Sequence, residues 1–172
     1  IKQDNYCERL PSILIHARQR NERNRWHHER PVRVLYAENN DHDGILTNRY
    51  INHHATHIQL EVVPGSHAVL ARLASNPDDY DVLLLDYRLA GIDALELIKR
   101  LRDVMAVDIP VVMVTGRGSE EVAAQALRLG VSDYLIKDAG YLERLPAVLE
   151  FANARGQLKR ERDRVEYLIV HD

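Results

Sequence analysis

The sequence predicts an α/β fold: a doubly wound, five-stranded parallel sheet with helices on both faces and helical extensions at both ends. Five short, mostly apolar runs alternate along the chain with amphipathic stretches of helical period, which is typical of successive βα units. Two of these runs are apolar almost throughout, as expected for strands buried on both faces. Right-handed crossovers then distribute the helices over the two faces.

The predicted strands lie at residues 32–37, 60–63, 81–86, 110–115 and 133–137. The second run is the weakest, and the third and fourth are the most apolar. The predicted helices lie at residues 44–57, 66–75, 92–105, 119–129 and 145–164.

Capping signals support these helices. Gly65 and Ser66 are expected to cap the second helix. Ser119 precedes two glutamates and Gly130 follows the fourth helix, which is the usual order of amino- and carboxyl-terminal signals. Pro146 is expected in the first turn of the last helix, where its missing N–H group is not needed.

The composition indicates a globular domain. Of the 172 residues, 45% are hydrophobic and 28% are charged, which is enough apolar material for a core. A net charge of −3 gives no reason to expect nucleic-acid binding. No apolar run approaches the ~20 residues of a membrane helix. The single cysteine, Cys7, excludes an intrachain disulfide, so we expect a cytoplasmic protein without membrane contact.

The two ends of the chain resemble each other. Residues 1–20 match residues 136–155 at ten of 20 positions without a gap, including a shared Glu-Arg-Leu-Pro. General likeness between amphipathic helices explains the apolar matches but not this tetrapeptide. We therefore predict that residues 1–31 are the last helix of a truncated upstream copy plus a polar linker. Residues 32–154 would form one complete domain, and residues 155–172 a helical linker toward a missing downstream domain.

Polar side chains stand at the carboxyl ends of four predicted strands. Glu38 and Asn39 follow the first strand, and Asp86, Thr115 and Lys137 end the third, fourth and fifth. A doubly wound sheet has its functional crevice at this edge. We therefore expect these side chains to converge there.

This combination of groups suits phosphoryl transfer. Asp86 can attack a phosphoryl group and form an aspartyl phosphate. Because such transfer is catalysed mainly by positioning and charge neutralisation, it needs a metal ion and cationic donors. Acidic groups after the first strand would join Asp86 as oxygen ligands of Mg²⁺. Lys137 and Thr115 would contact phosphoryl oxygens.

Two stretches carry a family resemblance. Residues 81–102, DVLLLDYRLAGIDALELIKRLR, and residues 109–138, IPVVMVTGRGSEEVAAQALRLGVSDYLIKD, resemble response-regulator receiver domains of bacteria and archaea. The likeness covers about residues 32–154. It implies a flavodoxin-like fold with strand order 2-1-3-4-5. It also implies a phosphoacceptor domain of a two-component system rather than a classical enzyme.

The resemblance implies roles for the residues at the strand ends. Asp86 resembles the phosphoacceptor, and Thr115 and Lys137 resemble the family's switch hydroxyl and lysine. Glu38 and Asn39 stand where the family carries the acidic pair that binds Mg²⁺.

Two further residues and the partners follow from the same resemblance. Arg88 would offer its backbone carbonyl to the metal, and Tyr134 stands where the family has an aromatic that changes rotamer on activation. The phosphodonor would be a phosphohistidine on a histidine kinase or phosphotransfer protein. Phosphorylation would remodel the face made by the fourth helix, fifth strand and fifth helix, through which the domain could also form a homodimer.

Two positions depart from the family pattern. Asn39 replaces the usual Asp, so weaker metal binding and phosphorylation are expected. Ala90 stands where Pro is frequent, which should loosen its loop. Asp41 and Asp43 lie near Asn39 and could compensate, but we expect them to be solvated acids, with Asp43 capping the first helix.

Other hypotheses remain open. The neutral Asn39 favours a pseudo-receiver that acts as a phosphorylation-independent interaction module. A flavin-binding enzyme is disfavoured, because acidic residues follow the first strand where a phosphate-binding glycine loop would be needed. His53, His54 and His57 have the helical spacing of a metal site, although a solvated face is commoner. The charged tail suits a linker within a multi-domain regulator, such as a tandem receiver or hybrid kinase.

Overall fold

The computed structural model describes residues 30–116 and 120–171. Its elements, in chain order, are β1 (Val32–Ala37), α1 (Asp41–His54), β2 (Ile58–Val63), α2 (Gly65–Ser75), β3 (Val82–Asp86), α3 (Ala94–Lys99), β4 (Val111–Thr115), α4 (Glu120–Arg128), β5 (Asp133–Ile136) and α5 (Tyr141–His171). A 3-10 turn (Pro77–Asp79) precedes β3, and a π-helical turn (Arg100–Val104) continues α3.

The five strands form a parallel sheet in the order β2-β1-β3-β4-β5, as predicted. β3 lies at the centre between β1 and β4, and every residue of β3 and β4 is buried. Helices cover these strands on both faces, which is why their sequences are continuously apolar. The strand order reverses between β1 and β3, so the crevice opens at their carboxyl ends.

Apolar layers cover both faces of the sheet. Alternate residues of β3 belong to opposite layers: Leu83 and Leu85 pack with residues of α2 and α3, whereas Val82 and Leu84 pack with residues of α1 and α5. Each such leucine is fully buried and stabilises the fold by about 2 kcal/mol. Packing on both faces holds the strands in place, and the strands in turn position the residues at their carboxyl ends.

The first helix begins earlier than predicted. The side chain of Asn40 accepts a hydrogen bond from the N–H of His42, so Asn40 caps α1 and the helix starts at Asp41 rather than Gly44. The expectation that Asp43 is the capping residue is therefore wrong. Asp43 lies within the first turn of the helix instead.

Two other predictions about how helices begin are also wrong: the cap of α2 and the position of Pro146 in α5. The cap position of α2 is Pro64, and the hydroxyl of Ser66 bonds to the loop after β3. α5 begins at Tyr141, because a turn in which the Tyr141 N–H donates to the Asp138 carbonyl starts the helix early. Pro146 consequently lies inside the helix rather than in its first turn.

The two predicted extensions have different outcomes. Residues 1–29, which include most of the predicted upstream helix and linker, lie outside the described residues. At the other end, the helix continues through the predicted linker region to His171. Within residues 30–116 and 120–171, every helix is too short or too polar to span a bilayer.

The long helix α5 is anchored where it passes the amino-terminal end of β4. Gly156 approaches Pro110 so closely that a Cβ atom added to the glycine would lie 2.3 Å from Pro110 Cγ. Nearby, Lys159 Nζ lies 2.6 Å from Asp108 Oδ2. Beyond this point, residues 158–170 are exposed.

We predict that Gly156→Ala lowers the thermal stability of the domain. In an unobstructed helix interior this change stabilises by about 1 kcal/mol. Here the new methyl group would collide with Pro110, and overpacking costs about 1–3 kcal/mol. Thermal denaturation followed by circular dichroism should show a lower Tm, and adding Pro110→Ala should recover part of the loss. A Tm that rises in the single variant would contradict the close contact.

Candidate functional site

The side chain of Lys137 lies at the centre of a cluster of carboxylates at the carboxyl edge of the sheet. Its Nζ lies 2.5 Å from Glu38 Oε2 and 2.5 Å from Asp86 Oδ2. Asp43 Oδ2 is the third oxygen, at 3.1 Å. The Lys137 side chain is only 9% exposed, so these ion pairs are largely shielded from water. We call Lys137, Glu38, Asp86 and Asp43 the ion cluster.

Parallel pairing explains why residues so distant in sequence meet. Asp86 ends the central strand β3, and Glu38 directly follows its neighbour β1. Lys137 follows β5 at the sheet edge, and its N–H donates to the Thr115 carbonyl at the end of β4. The long side chain of Lys137 then reaches across to Asp86. Of the side chains expected to converge, those of Glu38, Asp86 and Lys137 meet, whereas that of Asn39 is exposed.

The charge of Lys137 is stabilised by its surroundings. Burial by itself lowers the pKa of this ammonium, but the carboxylates of Asp86 and Glu38 act in the opposite direction. The net result is a pKa well above its ordinary value. Lys137 therefore stays positively charged throughout the physiological pH range.

Both carboxylate oxygens of Asp86 are hydrogen-bonded. Oδ1 accepts a hydrogen bond of 2.7 Å from the N–H of Arg88, and Oδ2 accepts from Lys137. Asp86 is 8% exposed, which leaves a small solvent-facing surface at the sheet edge. The side chain is thus held in one orientation while remaining reachable from outside.

Glu38 is held by three donors. Oε1 accepts from the N–H of Asn40 at 2.8 Å, whereas Oε2 accepts from the Tyr36 hydroxyl at 2.9 Å and from Lys137. Burial raises the pKa of the Tyr36 phenol, which therefore remains a hydrogen-bond donor. Tyr36 is not among the site residues predicted from the sequence. Its position in a buried strand was the available signal, because a buried phenol hydroxyl usually needs a polar partner.

Asn39 does not join the ion cluster, whereas Asp43 does. Asn39 is exposed, and among the described residues it takes no part in the ion cluster. Asp43, expected to be a solvated acid, contacts Lys137 instead. Asp41 is exposed, as expected. The difference arises because α1 begins at Asp41, which turns Asp43 toward the sheet edge.

The loop after β3 is fastened to the start of α2. The Ser66 hydroxyl donates to the Ala90 carbonyl at 3.1 Å and accepts from the Ile92 N–H at 3.0 Å. Gly91 has a φ of 93°, and a Cβ atom there would lie 2.6 Å from Ser66 Oγ. The expected loosening at Ala90 is therefore countered by Ser66. This loop also carries the backbone carbonyl of Arg88.

The two predicted switch residues lie on the last two strands. Thr115 is 2% exposed at the end of β4. Tyr134 lies on β5 opposite Met113, and its partly buried ring packs against the apolar layer that contains α2 and α3. Whether either residue moves on activation stays a prediction.

The donor atoms of the ion cluster are of the type that a hard divalent cation prefers. Its donors are carboxylate oxygens, which Mg²⁺ prefers, and Mg²⁺ sites often use only one or two carboxylates with water. Three carboxylates face one ammonium, so two negative charges remain uncompensated. As they stand, the described residues contain no group of three or more His, Cys, Asp or Glu side chains arranged to hold a metal. Lys137 occupies the position of a counter-cation among the acids.

The histidines of α1 are not arranged as a metal site within the described residues. His57 lies after the helix, and its Nε2 is 2.5 Å from Glu150 Oε1 on α5. The ring of His54 stacks on Tyr50, with 4.2 Å between centroids. These contacts support the solvated-face interpretation.

Comparison with known proteins identifies the family. The model of the response regulator receiver domain matches residues 34–150. The phosphate regulon transcriptional regulatory protein PhoB of Pseudomonas aeruginosa is 44% identical over 73 residues, which is 40% of this chain and 32% of PhoB. The transcriptional regulatory protein TcrA of Mycobacterium tuberculosis is 36% identical over 129 residues, which is 75% of this chain and 49% of TcrA. The chain thus spans less than half the length of these relatives.

Solved structures show the same fold. The signal receiver domain of a Luxo repressor protein from Vibrio parahaemolyticus has a TM-score of 0.66 at 20% identity, over 76% of this chain and 95% of that one. The BeF3-activated N-terminal receiver domain of Klebsiella pneumoniae RstA has a TM-score of 0.57 at 28% identity, over 68% of this chain and 97% of that one. Because the family match covers more than half of the chain and encloses every strand-end side chain described above, the chain belongs to the response regulator receiver domain family of two-component systems.

Proposed function

We propose that this domain accepts a phosphoryl group on Asp86, with Mg²⁺ as cofactor, from a phosphohistidine of a histidine kinase or phosphotransfer protein in the cytoplasm. The observation that carries the proposal is the pairing of Asp86 with Lys137 at 2.5 Å, at the carboxyl edge of the sheet. An anionic carboxylate there is a nucleophile, and the ammonium is a charge that a phosphoryl group can recruit.

The residues that would hold Mg²⁺ are Glu38, Asp86 and the backbone carbonyl of Arg88. Asn39 could add its amide oxygen, which is uncharged and exposed in the present arrangement. When bound, Mg²⁺ supplies positive charge that reduces repulsion between the carboxylate and the phosphoryl oxygens.

The transfer itself is performed by Asp86. A carboxylate oxygen forms a bond to phosphorus while the bond between phosphorus and the donor histidine nitrogen breaks, and the nitrogen keeps the electron pair. Lys137 then exchanges its contact with Asp86 Oδ2 for a phosphoryl oxygen. Thr115 donates its hydroxyl to another. The domain thereby catalyses its own phosphorylation and is not a classical enzyme.

Phosphorylation would act on the face formed by α4, β5 and α5. Lys137 directly follows β5, and its backbone N–H bonds to Thr115, so a displacement of either side chain reaches both last strands. We propose that Thr115 and Tyr134 change conformation together and remodel this face. A local charge change would thus bias a two-state element. Partner binding or homodimerisation through this face would carry the signal onward. The domain would be part of a multi-domain protein, such as a tandem-receiver regulator or a hybrid kinase. We propose no nucleic-acid binding by this domain itself.

A pseudo-receiver is the second candidate. The exposed, neutral Asn39 favours it, because the usual second carboxylate is missing at that position. In that case the domain would bind its partners without phosphorylation. A Mg²⁺ titration separates the two functions, since millimolar metal perturbs the ion cluster only in the phosphoacceptor.

We predict that Asp86→Asn abolishes phosphorylation by acetyl phosphate in Mg²⁺. The amide has the same shape but is not a nucleophile under these conditions. Intact-protein mass spectrometry should detect the phosphoryl adduct in the wild type and in Asp103→Asn, a control that changes an exposed acid away from the ion cluster. Equal phosphorylation of Asp86→Asn and the wild type would refute the assignment.

We also predict that Lys137→Met destabilises the metal-free domain. The change leaves Glu38, Asp86 and Asp43 close together without their counter-charge, and breaking such a shielded pair costs about 3–5 kcal/mol. Saturating Mg²⁺ should restore stability, so the metal-induced rise in Tm should exceed that of the wild type. Thermal denaturation with and without EDTA measures both effects. An unchanged Tm in EDTA would contradict the structural importance of the ammonium.

A further inference from the structure

Asp43 contacts the same ammonium group as the proposed phosphoacceptor. Its Oδ2 lies 3.1 Å from Lys137 Nζ, and its side chain is 36% exposed. It is therefore partly accessible to solvent, whereas Glu38 is 3% exposed. The position suits a carboxylate that faces both the ion cluster and an incoming hydrated cation.

The local structure of α1 explains why this acid, and not its neighbour, reaches the ion cluster. Asn40 caps the helix, so Asp41 and Asp43 both lie in the first turn. Residues two apart on a helix do not share a face. Asp43 faces Lys137, and Asp41 is exposed.

The glycine after Asp43 allows the helix to lie close to the sheet. Gly44 is buried, and a Cβ atom there would lie 3.0 Å from Val62 Cγ1 at the end of β2 and 3.9 Å from Glu38 Cγ. A Cβ atom at this position would fit only if Val62 or α1 shifted by a few tenths of an ångström. The close approach brings Asp43 within reach of Lys137.

We propose that Asp43 is the second acidic residue of the phosphoacceptor site and supplies the negative charge toward Mg²⁺ that Asn39 lacks. This inference rests on the proposed function. Without Asp43, Glu38 and Asp86 would face Lys137 with only one uncompensated negative charge. With it the excess is two, which matches the charge of the cation.

The test is the Mg²⁺ affinity of the whole chain, measured by isothermal titration calorimetry with the metal alone. Asp43→Asn should weaken Mg²⁺ binding by about tenfold, the lower limit for groups that support a metal site indirectly. Asp41→Asn makes the same charge change in the same helical turn but outside the ion cluster, and it should bind Mg²⁺ like the wild type. Circular dichroism in EDTA verifies that both variants are folded.

A charge-relocation variant provides the second arm. Asn39→Asp combined with Asp43→Asn moves the acid to the position that is usual in the family, and it should recover most of the lost affinity. The rate of phosphorylation by acetyl phosphate at subsaturating Mg²⁺ should follow the same order as the affinities.

The results test the role of Asp43 separately from the phosphoacceptor function of the domain. If the wild type binds Mg²⁺ and is phosphorylated on Asp86, but Asp43→Asn does the same with equal affinity, the role of Asp43 is refuted and the phosphoacceptor function stands. If Asp41→Asn and Asp43→Asn weaken Mg²⁺ binding equally, a specific role of Asp43 is refuted, because the effect would then reflect only long-range electrostatic attraction of the cation. If the wild type binds no Mg²⁺, both the inference and the proposed function fail.

Discussion

The ammonium of Lys137, enclosed by three carboxylates, is the interaction on which the organisation of this domain depends. It ties together β1, β3, β5 and α1, elements that are up to 99 residues apart in sequence. Carboxylates packed this closely at a shielded sheet edge repel one another, and Lys137 is the positive side chain that compensates them. The compensation is incomplete, so the edge carries an excess of negative charge even in the folded state.

That incomplete compensation connects fold and function. In the proposed function, this excess negative charge attracts Mg²⁺, and the cation allows an anionic phosphoryl group to approach Asp86. The same lysine that stabilises the resting carboxylates would then turn to the transferred group. Because the backbone N–H of Lys137 donates to the Thr115 carbonyl, this exchange would be coupled to the last two strands. A change of charge at one side chain would in this way alter a protein surface some distance away.

The sequence was sufficient for the fold and for the strand-end residues, because both follow from simple periodicities. Continuous apolar runs identify buried parallel strands, and parallel strands present their last residues at a common edge. This rule selected Glu38, Asn39, Asp86, Thr115 and Lys137, of which Glu38, Asp86 and Lys137 meet in the ion cluster and Asn39 does not. An error of one or two residues in a predicted strand boundary still places the last residues of the strand at the carboxyl edge of the sheet.

The features that the sequence did not reveal depend on finer geometry. The contact of Asp43 with Lys137 depends on where α1 begins, and the choice of Asn40 as cap decides that. The predicted start at Gly44 left Asp43 outside the helix, so its orientation toward Lys137 did not follow from the sequence. The partner of Tyr36 depends on the rotamer of Glu38, and the role of Ser66 depends on a loop without regular structure. Neither leaves a periodic signal in the chain.

The central claim, that the side chain at the end of β3 becomes an acyl phosphate, can be tested on the unmodified protein. After incubation with acetyl phosphate and Mg²⁺, reduction with borohydride converts a phosphorylated aspartate to homoserine, and peptide mass spectrometry locates it. Homoserine at position 86 is the expected result. Homoserine at another aspartate, or none under conditions in which the protein binds Mg²⁺, would contradict it.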